Sequence, residues 1–168
     1  DLNELAILVT FLISNHVHSN KLHKAREIFY KYQPRVQESK KYPYFLRNAA
    51  TIFESTQAYE LRNSAKIIFK KENDLFGYYS TIINMSSYLI NNKPKDYATK
   101  QVLMAFEGLQ QFNASQIHLA ANNLGVCFLL SNNHLQAIKY LQLAIANAKT
   151  IMPITYATIN LSNMYLKM

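Results

Sequence analysis

The sequence predicts an all-α protein built from paired helices, and three observations carry that expectation. Glycine occurs three times and proline four times in 168 residues, too few for a β-rich chain, which needs turn residues every ~8–12 positions. Apolar residues recur at three- and four-residue steps through most of the chain. Polar punctuation separates these periodic segments, most clearly at Ser131-Asn132-Asn133-His134. An apolar content of 49% sets the chain apart from disordered segments.

Taken in order, the periodicity places helices at 3–18, 21–33, 43–55, 58–72, 75–91, 95–111, 115–131, 134–149 and 153–167. The first contains the longest apolar stretch, Leu5 to Ile13 interrupted by Thr10, far short of the ~20 residues that span a bilayer. The polar, basic stretch from Pro34 to Tyr42, bracketed by Pro34 and Pro43, is the longest linker. Ala49, Ala50 and Phe53 suggest one helix, and Ala65 and Phe69 its partner. Asn73-Asp74, Asn91-Asn92 and Asn132-Asn133 are expected in turns, where asparagine tolerates left-handed backbone and caps helices. Pro94 fits a first helical turn, and Pro153 is expected to open the last helix.

The clearest pair runs from Asn122 to Leu130 and from Leu135 to Ile145 across that four-residue turn. Two amphipathic helices so connected pack as an antiparallel hairpin. Gly125, Ala137 and Ala144 mark where the axes approach, with Leu124, Phe128 and Leu141 filling the seam. The register recurs. Asn84-Met85-Ser86 aligns with Asn123-Leu124-Gly125, and Ala98 and Ala105 with Ala137 and Ala144, at a spacing of 39 residues between Ala98 and Ala137. Asn160-Leu161-Ser162 with Tyr165 repeats the first-helix pattern.

The order Asn-Leu-Gly, an aromatic three residues on, a turn, then two alanines seven apart resembles the tetratricopeptide repeat, whose unit is ~34 residues of helix–turn–helix. The resemblance implies a right-handed α-solenoid of about four to five repeats, at 3–33, 43–72, 75–111, 115–149 and an incomplete 153–168. It covers nearly the whole chain as one repeat domain and is weakest before residue 72. The last helix carries Ile154, Ile159, Leu161 and Leu166 where a capping helix would be polar. Together with the lack of an initiating Met, that reads as a fragment of a longer protein, with self-association through 153–167 as a further expectation.

In such an array the first helices line an inner face, so the resemblance makes Asn84, Asn122, Asn123, Asn160 and Asn163 candidate contacts to a peptide backbone. The alternative is that these side chains bridge adjacent helices or merely face water. No Lys or Arg flanks them, so the carboxylate clamp of one family subset is not expected. The formal charge is +8, and Lys21 to Lys71 holds twelve Lys/Arg against four Asp/Glu. Lys21, Lys24, Arg26, Lys31, Arg35, Lys40, Lys41 and Arg47 are therefore candidates for steering an acidic partner. The alternative is a solvated basic face. Paired aromatics such as Phe29-Tyr30, Tyr44-Phe45 and Tyr78-Tyr79 lie beside these cations, but at helical spacing they read as core and not as a platform for nucleic acid.

No glycine-rich phosphate loop is present, and the few carboxylates are scattered. His16, His18 and His23 lack a completing Cys or carboxylate set for metal. Cys127 reads as a small buried hydrophobe, and a single cysteine suits a reducing, cytoplasmic setting. No enzyme, cofactor or membrane role is expected. The run Asn122 to Cys127 is similar to repeats at the C-terminus of bacterial signalling NTPases and behind the DNA-binding heads of peptide-responsive transcription regulators. Either resemblance implies a ligand-sensing module that binds a protein or peptide. A self-associating scaffold is the third expectation.

Overall fold

The computed structural model describes residues 1–166. Among them every regular element is helical. The chain gathers into two compact units, Asp1–Thr81 and Ile82–Met168.

The first unit opens with α1 (Leu2–His18), which Asp1 and Glu4 start with a reciprocal capping box. Its buried stripe is Ala6, Val9 and Ile13. The turn to α2 (Leu22–Tyr32) places Asn20 at φ 55°. The segment expected as a polar linker is folded onto the unit instead. Pro34 sits in a 3-10 turn, Val36 is fully buried, and Asn3 Oδ1 accepts from Ser39 Oγ at 2.9 Å and from the Lys40 amide at 3.0 Å. Helix α3 (Tyr42–Ala49) has Pro43 near its start, where the missing N–H is harmless.

Helix α3 stops at Ala49, earlier than the periodicity suggested. Residues Ala50–Ile52 form a 3-10 turn in which Thr51 Oγ1 donates to Asn48 O at 2.8 Å, and Phe53 is extended. A hydroxyl that bonds local backbone competes with the helical ladder. Helix α4 (Ser55–Lys71) therefore begins three residues before the expected position. Asn73, at φ 59°, and Asp74 then lead into α5 (Leu75–Asn92), whose first residues complete the unit. Helix α1 packs on α2 and α3, and α3 on α4. Phe29 stacks on Phe45 at 5.5 Å, so these two aromatics fill the core.

The second unit contains the end of α5, then α6 (Lys95–Gln110), α7 (Ile117–Leu130), α8 (His134–Asn147) and α9 (Ile151–Tyr165). Helix α7 is central, packed against α6, α8 and α9. The seam expected between α7 and α8 is present: Leu124, Ala137 and Leu141 are fully buried, and Ala144 nearly so. Phe128 departs from its expected role, being half-buried and stacked on Tyr140 at 5.5 Å. Pro153 is the third residue of α9, not the first. No intrahelical acceptor awaits an N–H there, so the position tolerates it. Lys167 and Met168, included in the expected last helix and repeat, lie outside the described residues.

Asparagine writes much of the punctuation. The described non-glycine residues with positive φ are Asn20, Asn73, Asn113 and Asn132, each at a helix end. Asn133 caps α8 by accepting from the Gln136 amide at 3.3 Å. Asn91 and Asn92, expected in a turn, instead finish α5 and donate to Ser87 O and Tyr88 O.

Candidate partner-binding groove

An apolar helix can satisfy only one stripe with its own core. Helix α1 carries more than that: beside Ala6, Val9 and Ile13, its Ile7 and Phe11 remain 55% and 63% exposed. These two side chains line a groove of about 620 Å³ between α1 and α3. Ala6, Ile13 and Val17 extend its apolar surface. Thr10, Ser14, His18, Asn48 and Thr51 supply polar groups, and Lys41 with Tyr44 completes the α3 side. No carboxylate lines it. His18 Nδ1 donates to Ser14 O at 2.7 Å, which leaves Nε2 for other partners.

Tyr44 is fixed from behind. Its hydroxyl donates to Asp74 Oδ2, and its ring meets that of Phe69 edge-on at 4.7 Å. The Arg47 guanidinium lies 5.2 Å from the Tyr44 ring centroid and 5.7 Å from that of Phe69. Burial, reinforced by the Asp74 carboxylate, pushes the Tyr44 phenol up to about 12.

The candidate cations divide into two groups. Lys21, Lys24, Lys31, Arg35, Lys40 and Lys41 are exposed. Arg26 and Arg47 are half-buried and committed to packing: Arg26 Nε donates to Ile52 O at 2.8 Å beside the Phe53 ring, and Arg47 is held as above. Desolvation pulls the Arg47 pKa below its ordinary value. The charge itself is shared evenly between the units. Residues 1–81 hold twelve Lys/Arg against eight Asp/Glu and the remainder six against two, +4 each. The basic window looked exceptional only because Asp1, Glu4, Glu72 and Asp74 flank it.

The candidate asparagines also divide. Asn123 Nδ2 donates to Ser86 Oγ at 2.6 Å, Asn122 Nδ2 to Asn123 Oδ1 at 3.4 Å, and Asn160 Nδ2 to Asn122 Oδ1 at 3.0 Å. These three half-buried amides form a ladder across α5, α7 and α9, as the bridging alternative has it. Asn84 and Asn163 stay exposed and outside it.

Cys127 is buried, and that burial pushes its thiol up to about 11. We expect Ellman's reagent to react with it at mildly alkaline pH only after denaturant is added; prompt reaction of the native protein would contradict its burial. The folded thiol keeps its proton to a higher pH than the unfolded one. Its contribution to stability is therefore intact below pH 9 and lost as pH rises toward about 11.

No family model matches the sequence, and no curated protein matches it. The fold is shared with BtubC (BKLC) from P. vanneervenii. The two structures align with a TM-score of 0.79 over 98% of this chain and 73% of that one, at 17% identity. That likeness is one of helical fold. Of the groove residues, Lys41 is among the cations the sequence singled out, whereas the apolar Ile7 and Phe11 are not among its candidates. The signal was present in Leu5 to Ile13, which carries more apolar residues than one buried stripe uses. Among the described residues no helix is long and apolar enough to cross a membrane.

Proposed function

We propose that this chain is a non-catalytic protein-interaction module of the tetratricopeptide type, which holds a partner segment in the groove between α1 and α3. The observation that carries this reading is the exposure of Ile7 and Phe11 along an apolar trough with Lys41 at its side and no acidic residue in its lining. The apolar surface supplies attraction, Asn48, Thr51 and Ser14 supply hydrogen bonds to a peptide backbone, and Lys41 favours acidic flanks. The helical fold shared with BtubC supports the architecture of this reading. A sensor role within a larger signalling protein of the NTPase type extends it, and rests on the resemblance at Asn122 to Cys127 alone.

Selection from a random peptide display library, followed by resynthesis of single clones, tests the groove. Phe11→Asp is expected to weaken a selected peptide at least about 30-fold, since it removes a central apolar anchor and buries a charge. Lys41→Glu is expected to weaken acidic clones by about 3–10-fold in a salt-dependent way. Clones indifferent to both substitutions would refute the groove as the site.

A second reading, self-association, has its own observation. Helix α9 exposes Ile151 at 75%, Met152 at 58% and Tyr156 at 59%. Sedimentation equilibrium separates the two, because a concentration-independent monomer removes the scaffold.

A further inference from the structure

We propose that Asp74 is a positioning residue for the groove: it holds Tyr44 as part of the groove wall and, through the same carboxylate, couples groove occupancy to the first turn of α5. The inference rests on the groove reading above and adds a device to it.

The geometry is a short relay. Tyr44 lines the groove, while its hydroxyl donates to Asp74 Oδ2. The other oxygen, Oδ1, accepts from the Gly77 amide at 2.7 Å, and Asp74 O accepts from the Tyr78 amide at 2.9 Å. Asp74 is thus the N-cap of α5, and Gly77 is one of the first-turn donors that have no partner within their own helix. One carboxylate serves two clients, the wall of the groove and the start of a helix. Phe69 braces both, since it meets the Tyr44 ring edge-on and a Cβ at Gly77 would stand 2.5 Å from it.

A side chain that settles on Tyr44 removes water from the Tyr44–Asp74 bond, and a charge-assisted bond strengthens as its surroundings become drier. That fixes the carboxylate more firmly over Gly77. Reciprocity then requires that an intact cap favour occupancy by the same factor. Burial, and after it the Asp74 carboxylate, push the Tyr44 phenol up to about 12, so the hydroxyl keeps the proton it donates across the physiological pH range.

The test is amide hydrogen exchange on the full chain, free and saturated with a synthetic peptide from the selection above whose binding depends on Phe11. Wild type is compared with Tyr44→Phe, which keeps the ring and the cap but loses the bond, and with Asp74→Asn, which keeps capping ability without charge. In wild type the peptide is expected to slow exchange at Gly77 about tenfold, the size of one hydrogen bond to a charged group. In Tyr44→Phe it still slows exchange along α1, binds about 3–10-fold more weakly, and changes Gly77 less than about twofold. Asp74→Asn is expected to behave likewise. Equal slowing at Gly77 in wild type and Tyr44→Phe overturns the coupling while leaving the groove intact. The coupling also falls if free Tyr44→Phe exchanges Gly77 at the wild-type rate. Failure to recover any peptide that depends on Phe11 removes the groove reading and the relay together.

Discussion

Phe69→Ala is expected to destabilise the first unit by about 3–5 kcal/mol, the usual cost of emptying a well-packed phenylalanine site. Phe69 is fully buried, and its neighbours depend on its shape. Tyr44 meets the ring edge-on, the Arg47 guanidinium lies over it, and α5 reaches it through Gly77, which has no side chain to interpose. Truncation opens a void and removes the ring over which Arg47, already without hydrogen-bond partners for buried Nε and Nη1, is placed. Phe69→Leu keeps most of the volume, and its expected cost is below about 1.5 kcal/mol. Denaturant unfolding combined with residue-level hydrogen exchange checks both. A loss below about 1 kcal/mol for Phe69→Ala would show that ring packing does not organise this corner.

Gly125→Ala is the second large effect, and it runs against intrinsic propensity. In an open helix the change stabilises by about 1 kcal/mol. Here a Cβ at residue 125 would stand 2.6 Å from Leu141 Cγ and 3.3 Å from the Leu141 backbone nitrogen. The branch carbon of a fully buried leucine has little room to move, and the backbone contact fixes the spacing of α7 and α8. Overpacking of this kind costs about 1–3 kcal/mol, which offsets the propensity gain and leaves a net loss of up to about 2 kcal/mol. Leu141→Ala alone is expected to cost about 2–5 kcal/mol. The double variant should lose less than the two single losses together, because the new methyl occupies part of the space vacated. Strict additivity in that cycle would mean the two side chains do not meet.

These two sites differ in how readable they were. Gly125 was legible because it falls in an apolar-periodic segment opposite Ala137 and Ala144, and small residues at helical spacing announce a close approach. Gly77 was not, because its partner Phe69 belongs to the preceding helix and the turn between them sets which face α5 presents. The seam of α7 and α8 is local in sequence. The Tyr44–Asp74–Phe69 corner joins three helices.

The candidate site shows the same division. Asn84, Asn123 and Asn160 align by register, and their chemistry suits either a guest peptide or a neighbouring helix. Only the folded chain shows that Asn123 bonds Ser86 at 2.6 Å and Asn160 bonds Asn122 at 3.0 Å, while Asn84 stays exposed. Likewise Arg26 and Arg47 count as positive charge in a sequence, whereas in the folded chain their planar guanidinium groups pack on aromatic rings.

Periodicity, turn chemistry and scarce glycine and proline were enough to determine that this chain folds as paired helices and roughly where each begins, since those signals act within a few residues. Tertiary structure alone decided which surplus apolar residues remain uncovered. Ile7 and Phe11 face a groove because α3 lies beside α1 without closing over it, and that placement depends on Asn3 holding the Ser39–Lys40 loop and on α3 stopping at Ala49. Contacts between residues far apart in the chain set it, and no local pattern records them.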